Sequence, residues 1–362
     1  MIQGQEISTR RRVSVALTCV GGRYVADIVD ALRRAPDFEI RIVGLDASPK
    51  AMGRMIVDDF AVVPLPGESD DAYLKALLRI IRQYEIDVVL QGSEGETRIL
   101  SAHRASIIEA GARLALSDPE SVAVMTDKLE LFGTLSKKGV DVGPFHAVDS
   151  ERDFRRSAEL LGYPQRKIVF KPRKGAGSRG VMIADPVERT YRPLLENRFC
   201  GTGDLESLIA AMRIFDQDCG SLLAMPWYGP SVFDVDCLAN KGRATVTVPR
   251  LREYENPLSP FSEGCRIDLR PTVLEFVSKI CKAMELDGLC DFDIAMEDDC
   301  IPRLIDASCR LSGSVGATVA AGVNLPAMAV SHALGLTPTC GALRQGTVVR
   351  PFPRLTVVSS SS

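Results

Sequence analysis

Apolar and polar positions along this chain follow two periods, and the changes of period mark its elements. Residues 13–20 (VSVALTCV) are a β-rich apolar run ending at Gly21-Gly22. Val25, Ile28, Val29 and Leu32 then recur at i, i+3, i+4 and i+7, one face of a helix. A strand at 39–45 ends at Asp46, and a helix at 70–84 carries Leu74, Leu77, Leu78 and Ile81 on one face. The strand Asp87 to Leu90 follows, with Gly92 after it. Strand and helix in alternation predict a parallel sheet. The pattern G-x-G-x-x-G is absent after the first strand, so its glycines read as tight-turn residues above the sheet.

Ser117-Asp118-Pro119 marks a boundary, and a helix is expected from about 119 to 138, stopping at Gly139. A strand (Gly143 to Val148), a helix (150–161) and a strand (Lys167 to Lys171) come next. Signals over 184–220 are mixed, while 221–250 reads as several strands bent at Pro226 and Gly229. After Pro271, the residues Val273, Phe276, Val277, Ile280, Cys281 and Met284 share one helix face, which ends at Asp287-Gly288. A hairpin (290–308) and a helix (about 315–335) complete the core.

Composition narrows the function classes. The 362 residues suffice for two or three domains, and a formal net charge of −3 makes no electrostatic case for nucleic acid or an anionic membrane. The ten cysteines include no C-x-x-C pair, and His103, His146 and His332 lie far apart, which argues against a zinc knuckle or a histidine cage. Reduced, packed cysteines fit a cytoplasmic enzyme. There is no apolar run of membrane-spanning length, no hydrophobic signal core in Met1 to Arg12, and the last four serines read as a frayed tail.

Three segments carry chemistry. In Val169-Phe170-Lys171-Pro172-Arg173-Lys174-Gly175-Ala176-Gly177-Ser178-Arg179-Gly180-Val181, an apolar strand delivers a lysine into a glycine-rich loop, and a second strand begins at Val181. Glycines admit backbone N–H groups close to a polyphosphate, and the lysine adds a point charge. The lysine precedes the glycines, so this is not the Walker order, and a basic hairpin turn is the plainer alternative. In the hairpin, a two-residue turn at Asp298-Asp299 would pair Asp293 with Leu304 and Asp291 with Asp306. Alternation then puts Asp291, Asp293, Asp306, Ser308 and Arg310 on one face, and Phe292, Ile294 and Ile305 on the other. Three carboxylates on one face call for Mg²⁺, unless the face is simply solvated. The third segment, Ser308-Cys309-Arg310-Leu311-Ser312-Gly313-Ser314, offers small residues for close approach and an arginine for a phosphate or oxyanion, or for one of the aspartates.

Together these residues resemble the ATP-grasp superfamily, in the branch similar to the large chain of carbamoyl-phosphate synthetase, over about 12–335. The order carries the resemblance: Thr126-Asp127-Lys128, the loop at 169–181, a hinge-like segment at 221–236, Asp293, then Asp306 to Gly313. It implies an α/β chain with a Rossmann-like domain (1–118) before an α+β ATP-grasp domain. The latter divides into small and lid subdomains (119–225) and a C-terminal subdomain with the metal site (226–340), leaving a tail (341–362). By resemblance, Lys128 and Lys171 contact ATP, and Gly175, Ala176, Gly177, Ser178, Arg179 and Gly180 cover its phosphates. Ala224, Met225, Pro226 and Trp227 hold adenine, while Asp293, Asp306 and Ser308 bind Mg²⁺. Arg310 stabilises the acyl phosphate, with Lys171 the other catalytic residue, and Arg250, Arg252, Ser312 and Gly313 face the substrate. The variable loops 252–266 and 312–318 are where substrate identity would be set.

The family usually reads Glu-x-Asn-Pro-Arg where this chain has Asp306-Ala307-Ser308-Cys309-Arg310, a shorter carboxylate and a weaker ligand than an asparagine carbonyl. No acidic residue stands in the hinge at 222–227. The resemblance implies an ATP- and Mg²⁺-dependent ligase that joins a small-molecule carboxylate to an amine through an acyl phosphate. Its alternatives are a bicarbonate-using enzyme and a nucleotide-binding protein without turnover. A homodimer is the family's habit.

Overall fold

The computed structural model describes residues 10–23, 25–175, 179–191, 199–214, 220–253 and 264–351. Three sheets follow one another along the chain. The first is built from β1 (Arg11–Thr18), α1 (Val25–Arg33), β2 (Phe38–Asp46), β3 (Asp59–Val62), α2 (Asp70–Tyr84), β4 (Val88–Leu90), α3 (Glu94–Ala102), α4 (Arg104–Ala110) and β5 (Arg113–Leu114). Its five strands are parallel in the order β3-β2-β1-β4-β5, as the alternation predicts. Strand order reverses direction between β1 and β4, and the carboxyl ends on either side of that point form a crevice. Gly92 sits there because any side chain would meet the Thr18 carbonyl: a Cβ would lie 2.5 Å from that oxygen.

The helix expected over 119–138 is two helices, α5 (Pro119–Met125) and α6 (Lys128–Lys137). Asp127 breaks the run, because its carboxylate caps α6 by accepting from the N–H groups of Leu129 and Glu130 at 3.1 and 3.4 Å. The middle sheet then forms from β6 (His146–Val148), α7 (Glu151–Leu160), β7 (Ile168–Pro172), β8 (Met182–Ala184), β9 (Thr190–Tyr191), β10 (Gly201–Gly203), α8 (Leu205–Ile214) and β11 (Leu222–Pro226). Its order is β6-β11-β7-β8-β10-β9. It has its own core, centred on Phe154 and Phe170, whose rings stack with centroids 3.7 Å apart. The strand expected from Gly143 is confined to β6.

The last sheet comprises β12 (Val232–Asn240), β13 (Arg243–Arg252), β14 (Cys265–Ile267), α9 (Pro271–Ala283), β15 (Gly288–Glu297), β16 (Ile301–Ser308), α10 (Gly316–Ala320), α11 (Leu325–Ala333) and β17 (Val348–Val349). It is antiparallel throughout, in the order β16-β15-β12-β13-β14-β17. Helix α9 ends at Ala283, short of the expected Asp287. The helix expected over 315–335 is broken between α10 and α11 at Gly322, whose φ is 107°. Part of the stretch read as a tail joins the sheet through β17, and residues 352–362 lie outside the described residues.

The hairpin register differs from the expected one. Cys300 stays out of the ladder, so Glu297 pairs with Ile301, and a bulge after Asp293 leaves Ile305 unpaired. Asp293 therefore faces Asp306, and Asp291 faces Ser308. The same bulge corrects one placement: Ile305, expected on the apolar side with Phe292 and Ile294, lines the cavity described below.

The first and last sheets are joined by one continuous packing. Their buried residues mix in two large clusters. Leu289 N–H donates to Ala115 carbonyl at 3.1 Å, and Gln91 Nε2 donates to Cys309 carbonyl at 3.0 Å. Among the described residues no helix is long and apolar enough to cross a membrane.

Candidate active site

A cavity of about 450 Å³ lies where the three sheets meet. One wall is the polar face of the last sheet. Because β13, β12, β15 and β16 are neighbours, Arg250, Asp234, Asp293 and Asp306 stand side by side in one row. Asp236, Asp291 and Ser308 make the next row, two residues along each strand and so on the same face. Asp234 and Asp236 were not singled out from the sequence. The signal was there: D-x-D and R-x-R on successive strands share the period of two that also marks the hairpin aspartates.

Arginines interleave these carboxylates. Arg250 is only 1% exposed, and its guanidinium lies 2.8 Å from Asp236 and donates to Ser314 Oγ at 2.7 Å and Ser312 Oγ at 3.2 Å. Burial works against its charge, and Asp236 and Asp234 outweigh that, so it is held protonated. Arg252 bridges Asp234, through Nε at 2.9 Å, and Asp293, at 3.1 Å. Arg310 reaches Asp291 at 3.4 Å. Burial acts to raise Asp234, but Arg252 and Arg250 hold it down at about 2. Asp293 goes the other way, to about 7, through burial and the neighbouring Asp234 and Asp306, against the pull of Arg252. Asp291 is raised well above the carboxylate range by burial, reinforced by Asp236 and Asp293.

The facing wall comes from α6 and the middle sheet. Lys128, at the start of α6, is buried, and its Nζ lies 3.1 Å from Asp306 and donates to Gly175 carbonyl at 2.7 Å. Lys171 on β7 is 7% exposed and donates to the Ile305 carbonyl, with its Nζ 5.5 Å from the centre of the Phe132 ring. Burial pushes the Lys171 ammonium down to about 8, with Asp306 opposing. Asp127 fixes the root of the loop by holding Arg173 at 2.9 Å, while Lys128 N–H donates to the Arg173 carbonyl at 3.0 Å.

The site residues read from the sequence distribute as follows. Lys128, Lys171, Gly175, Arg179, Met225, Pro226, Trp227, Arg250, Arg252, Asp293, Asp306, Ser308, Arg310, Ser312 and Gly313 all line the cavity. Gly180 does not, and its N–H donates to Cys200 Sγ at 3.0 Å. Ala224 is fully buried behind the hinge. Ala176, Gly177 and Ser178 lie outside the described residues, as does 254–263 within the loop expected to set substrate identity. In the hinge, Trp227 spends its N–H on the Lys167 carbonyl at 2.9 Å and Pro226 has none, so the pair offers a base apolar surface. Leu17, Thr18, Cys19, Gly22, Gly92 and Glu94 of the first sheet also reach the cavity. Sequence reasoning missed them, because no local pattern reports a contact across two hundred residues.

The donor set fits a hard cation carried in with phosphate. Among the described residues, no three His, Cys, Asp or Glu side chains form a closed metal cage. Mg²⁺ does not need one, since it takes one or two carboxylates and completes its shell with phosphate oxygens and water. Asp293 and Asp306 face each other, and Ser308 Oγ and Asp291 Oδ1 are buried oxygens with no hydrogen-bond partner.

Comparison with known proteins agrees with this geometry. Residues 218–354 match the family model "ATP-grasp in the biosynthetic pathway with Ter operon", and residues 15–115 match "PylC-like, N-terminal domain". The chain is 26% identical over 276 residues to the carbamoyl phosphate synthase large chain of Methanothermobacter thermautotrophicus, covering 72% of this chain and 24% of that one. It thus spans about a quarter of the length of the curated relatives it matches. Among solved structures, N5-carboxyaminoimidazole synthetase from Staphylococcus aureus complexed with ADP superposes with a TM-score of 0.68 at 15% identity, over 94% of this chain and 82% of that one. An L-amino acid ligase from Bacillus licheniformis gives 0.63 at 14% identity, over 90% and 75%. These two likenesses are likenesses of fold.

Proposed function

From a chain that carries an ATP-grasp domain behind a PylC-like N-terminal domain, we propose an ATP-dependent ligase that joins a carboxylate to an amine through an acyl phosphate. One observation carries the reading: the buried lysines Lys128 and Lys171 face the row Asp234, Asp293, Asp306 across a single cavity that ends in an apolar hinge. Lys128 and Lys171 hold triphosphate oxygens, and Met225, Pro226 and Trp227 take the base. Asp293, Asp306 and Ser308 would hold Mg²⁺, which would neutralise phosphate charge there. A substrate carboxylate oxygen attacks the γ-phosphorus, the bond to ADP breaks, and ADP leaves with the electron pair. The uncharged amine nitrogen then attacks the acyl carbon, the acyl–oxygen bond breaks, and phosphate leaves with the electron pair and takes up the proton lost from nitrogen.

Arg310 is placed to stabilise the oxyanion of the second step, and Asp291 keeps its guanidinium oriented. Arg250 is buried with both terminal nitrogens on Asp236, Ser312 and Ser314, so its part is to hold Ser312 and Ser314 in place rather than to grip a substrate. Catalysis of this kind works by positioning and electrostatics, which suits a preformed charged face. The identity with the carbamoyl phosphate synthase large chain supports a second reading, with bicarbonate as the carboxylate.

The test is a phosphate-release screen over paired carboxylates and amines, with mass spectrometry of the products. Amide and ADP in equal amounts are expected, and Asp306→Asn lowers kcat on the order of 10³-fold. Turnover with bicarbonate alone selects the second reading. If Asp306→Asn turns over like the parent, the metal assignment is wrong.

A further inference from the structure

Five carboxylates line the cavity: Glu94, Asp234, Asp291, Asp293 and Asp306. Four are held by cations. Asp234 and Asp293 contact Arg252, Asp291 contacts Arg310, and Asp306 contacts Lys128. The Glu94 carboxylate has no hydrogen-bond or ion-pair partner among the described residues. It is half-buried and faces the cavity, and burial together with Asp306 raises its proton affinity while Lys128, Arg310 and Arg179 lower it. Glu94 therefore sits within the field of the phosphate-binding groups without being satisfied by any of them.

Its place in the fold strengthens the point. Glu94 opens α3 just after β4, and beside it Thr18 ends β1 and Cys19 follows. This is the crevice where strand order reverses, the position at which open parallel sheets receive ligands. Glu96, two residues on, is turned away to accept a hydrogen bond from Thr18 Oγ1 and does not line the cavity. The two glutamates have separate tasks.

We propose that Glu94 docks the amine co-substrate by pairing with its ammonium group. This rests on the ligase reading above. The anionic partners, phosphate and substrate carboxylate, are met by Lys128, Lys171 and Arg310. A half-buried carboxylate that lines the cavity and is left without a cation is completed by a cationic ligand, and an ammonium supplies both charge and donors. The ligand class is a primary amine that docks in its protonated form from the side of the first sheet and gives up one proton to water before its nitrogen attacks.

Hydroxylamine separates the two readings, because it is uncharged near neutral pH and intercepts acyl phosphates without needing an ammonium site. The parent, Glu94→Gln and Glu94→Asp are assayed with MgATP, the proteinogenic amino acids as carboxylates, and either hydroxylamine or amino acids and diamines as nucleophiles. In Glu94→Gln the ratio of amide to hydroxamate formation falls roughly 10–100-fold, as a raised KM for the amine. Glu94→Asp recovers part of that loss, and thermal melting shows that both variants are folded. An unchanged ratio overturns the docking role and leaves the ligase intact, as does an equal loss of both products, which places Glu94 in carboxylate activation. A parent that makes no hydroxamate with any carboxylate overturns the ligase reading itself.

Discussion

The last sheet and the middle sheet face each other across one cavity, yet they are anchored by different means. The last sheet shares its buried residues with the first, and backbone bonds at Ala115 and Gln91 stitch the two together. The middle sheet packs around Phe154, Phe170, Leu208 and Met212, while Leu223 and Met225 of β11 join the large cluster and Val169 of β7 packs against it. The charged rows on the last sheet are interlocked before any ligand arrives, whereas Lys171 rides on a separately cored unit. Preorganised charge is worth most where it does not have to move during the reaction, and a separately cored unit can open without disturbing it.

The largest expected effect breaks that difference from the middle-sheet side. Phe154→Ala removes the ring stacked on Phe170 and costs about 3–5 kcal/mol. Hydrogen exchange should then lose protection over 146–226 while β12, β13, β15 and β16 keep theirs. Equal loss in both sheets would make them one cooperative unit. Arg250→Met attacks the other side. It strands Asp236 in the interior, leaves Asp234 to Arg252 alone, costs about 3–5 kcal/mol, and should lower the melting temperature of the first and last sheets together. An unchanged melting temperature would mean that the row is not held by this arginine.

A smaller effect is expected from Lys171→Met, which keeps volume and removes the buried charge. The Kd for MgATP, read by calorimetry, should rise roughly 10–100-fold with no loss of melting temperature. An unaltered Kd would remove Lys171 from the phosphate site. The smallest effect at any single pH concerns Glu96, which burial raises to about 7 in spite of its bond from Thr18. Its folded state binds the proton more tightly than the unfolded chain. The stability this brings is therefore fully present below the ordinary carboxylate range and is lost as pH rises toward 7, by at most about 1.4 kcal/mol per pH unit. Glu96→Gln should flatten that part of the stability profile, measured by denaturant unfolding across the range. A profile with the parent's slope would show that another group sets it.

The contrast also explains what could be read from sequence. The acidic face was legible although its register was not. Leaving out Cys300 and then bulging at Ile305 shifts the partner of Asp293 from Leu304 to Asp306, two residues, and an even shift keeps Asp306 and Ser308 on the face of Asp291 and Asp293. A single slip would have turned the aspartates into the core. Helix breaks were less legible, because hydrophobic periodicity runs on through Asp127 and Gly322 while capping and a left-handed glycine interrupt the backbone. Glu94 and Thr18 were invisible as site residues, since their role depends on how the first sheet docks on the last.

The central claim is that ATP activates a carboxylate by forming an acyl phosphate, and oxygen labelling tests it most directly. A carboxylate that supports turnover is supplied with ¹⁸O in both carboxyl oxygens, and the released phosphate is weighed by mass spectrometry. One ¹⁸O per phosphate is expected, carried over when the acyl–oxygen bond breaks. Turnover that releases only unlabelled phosphate would contradict the account.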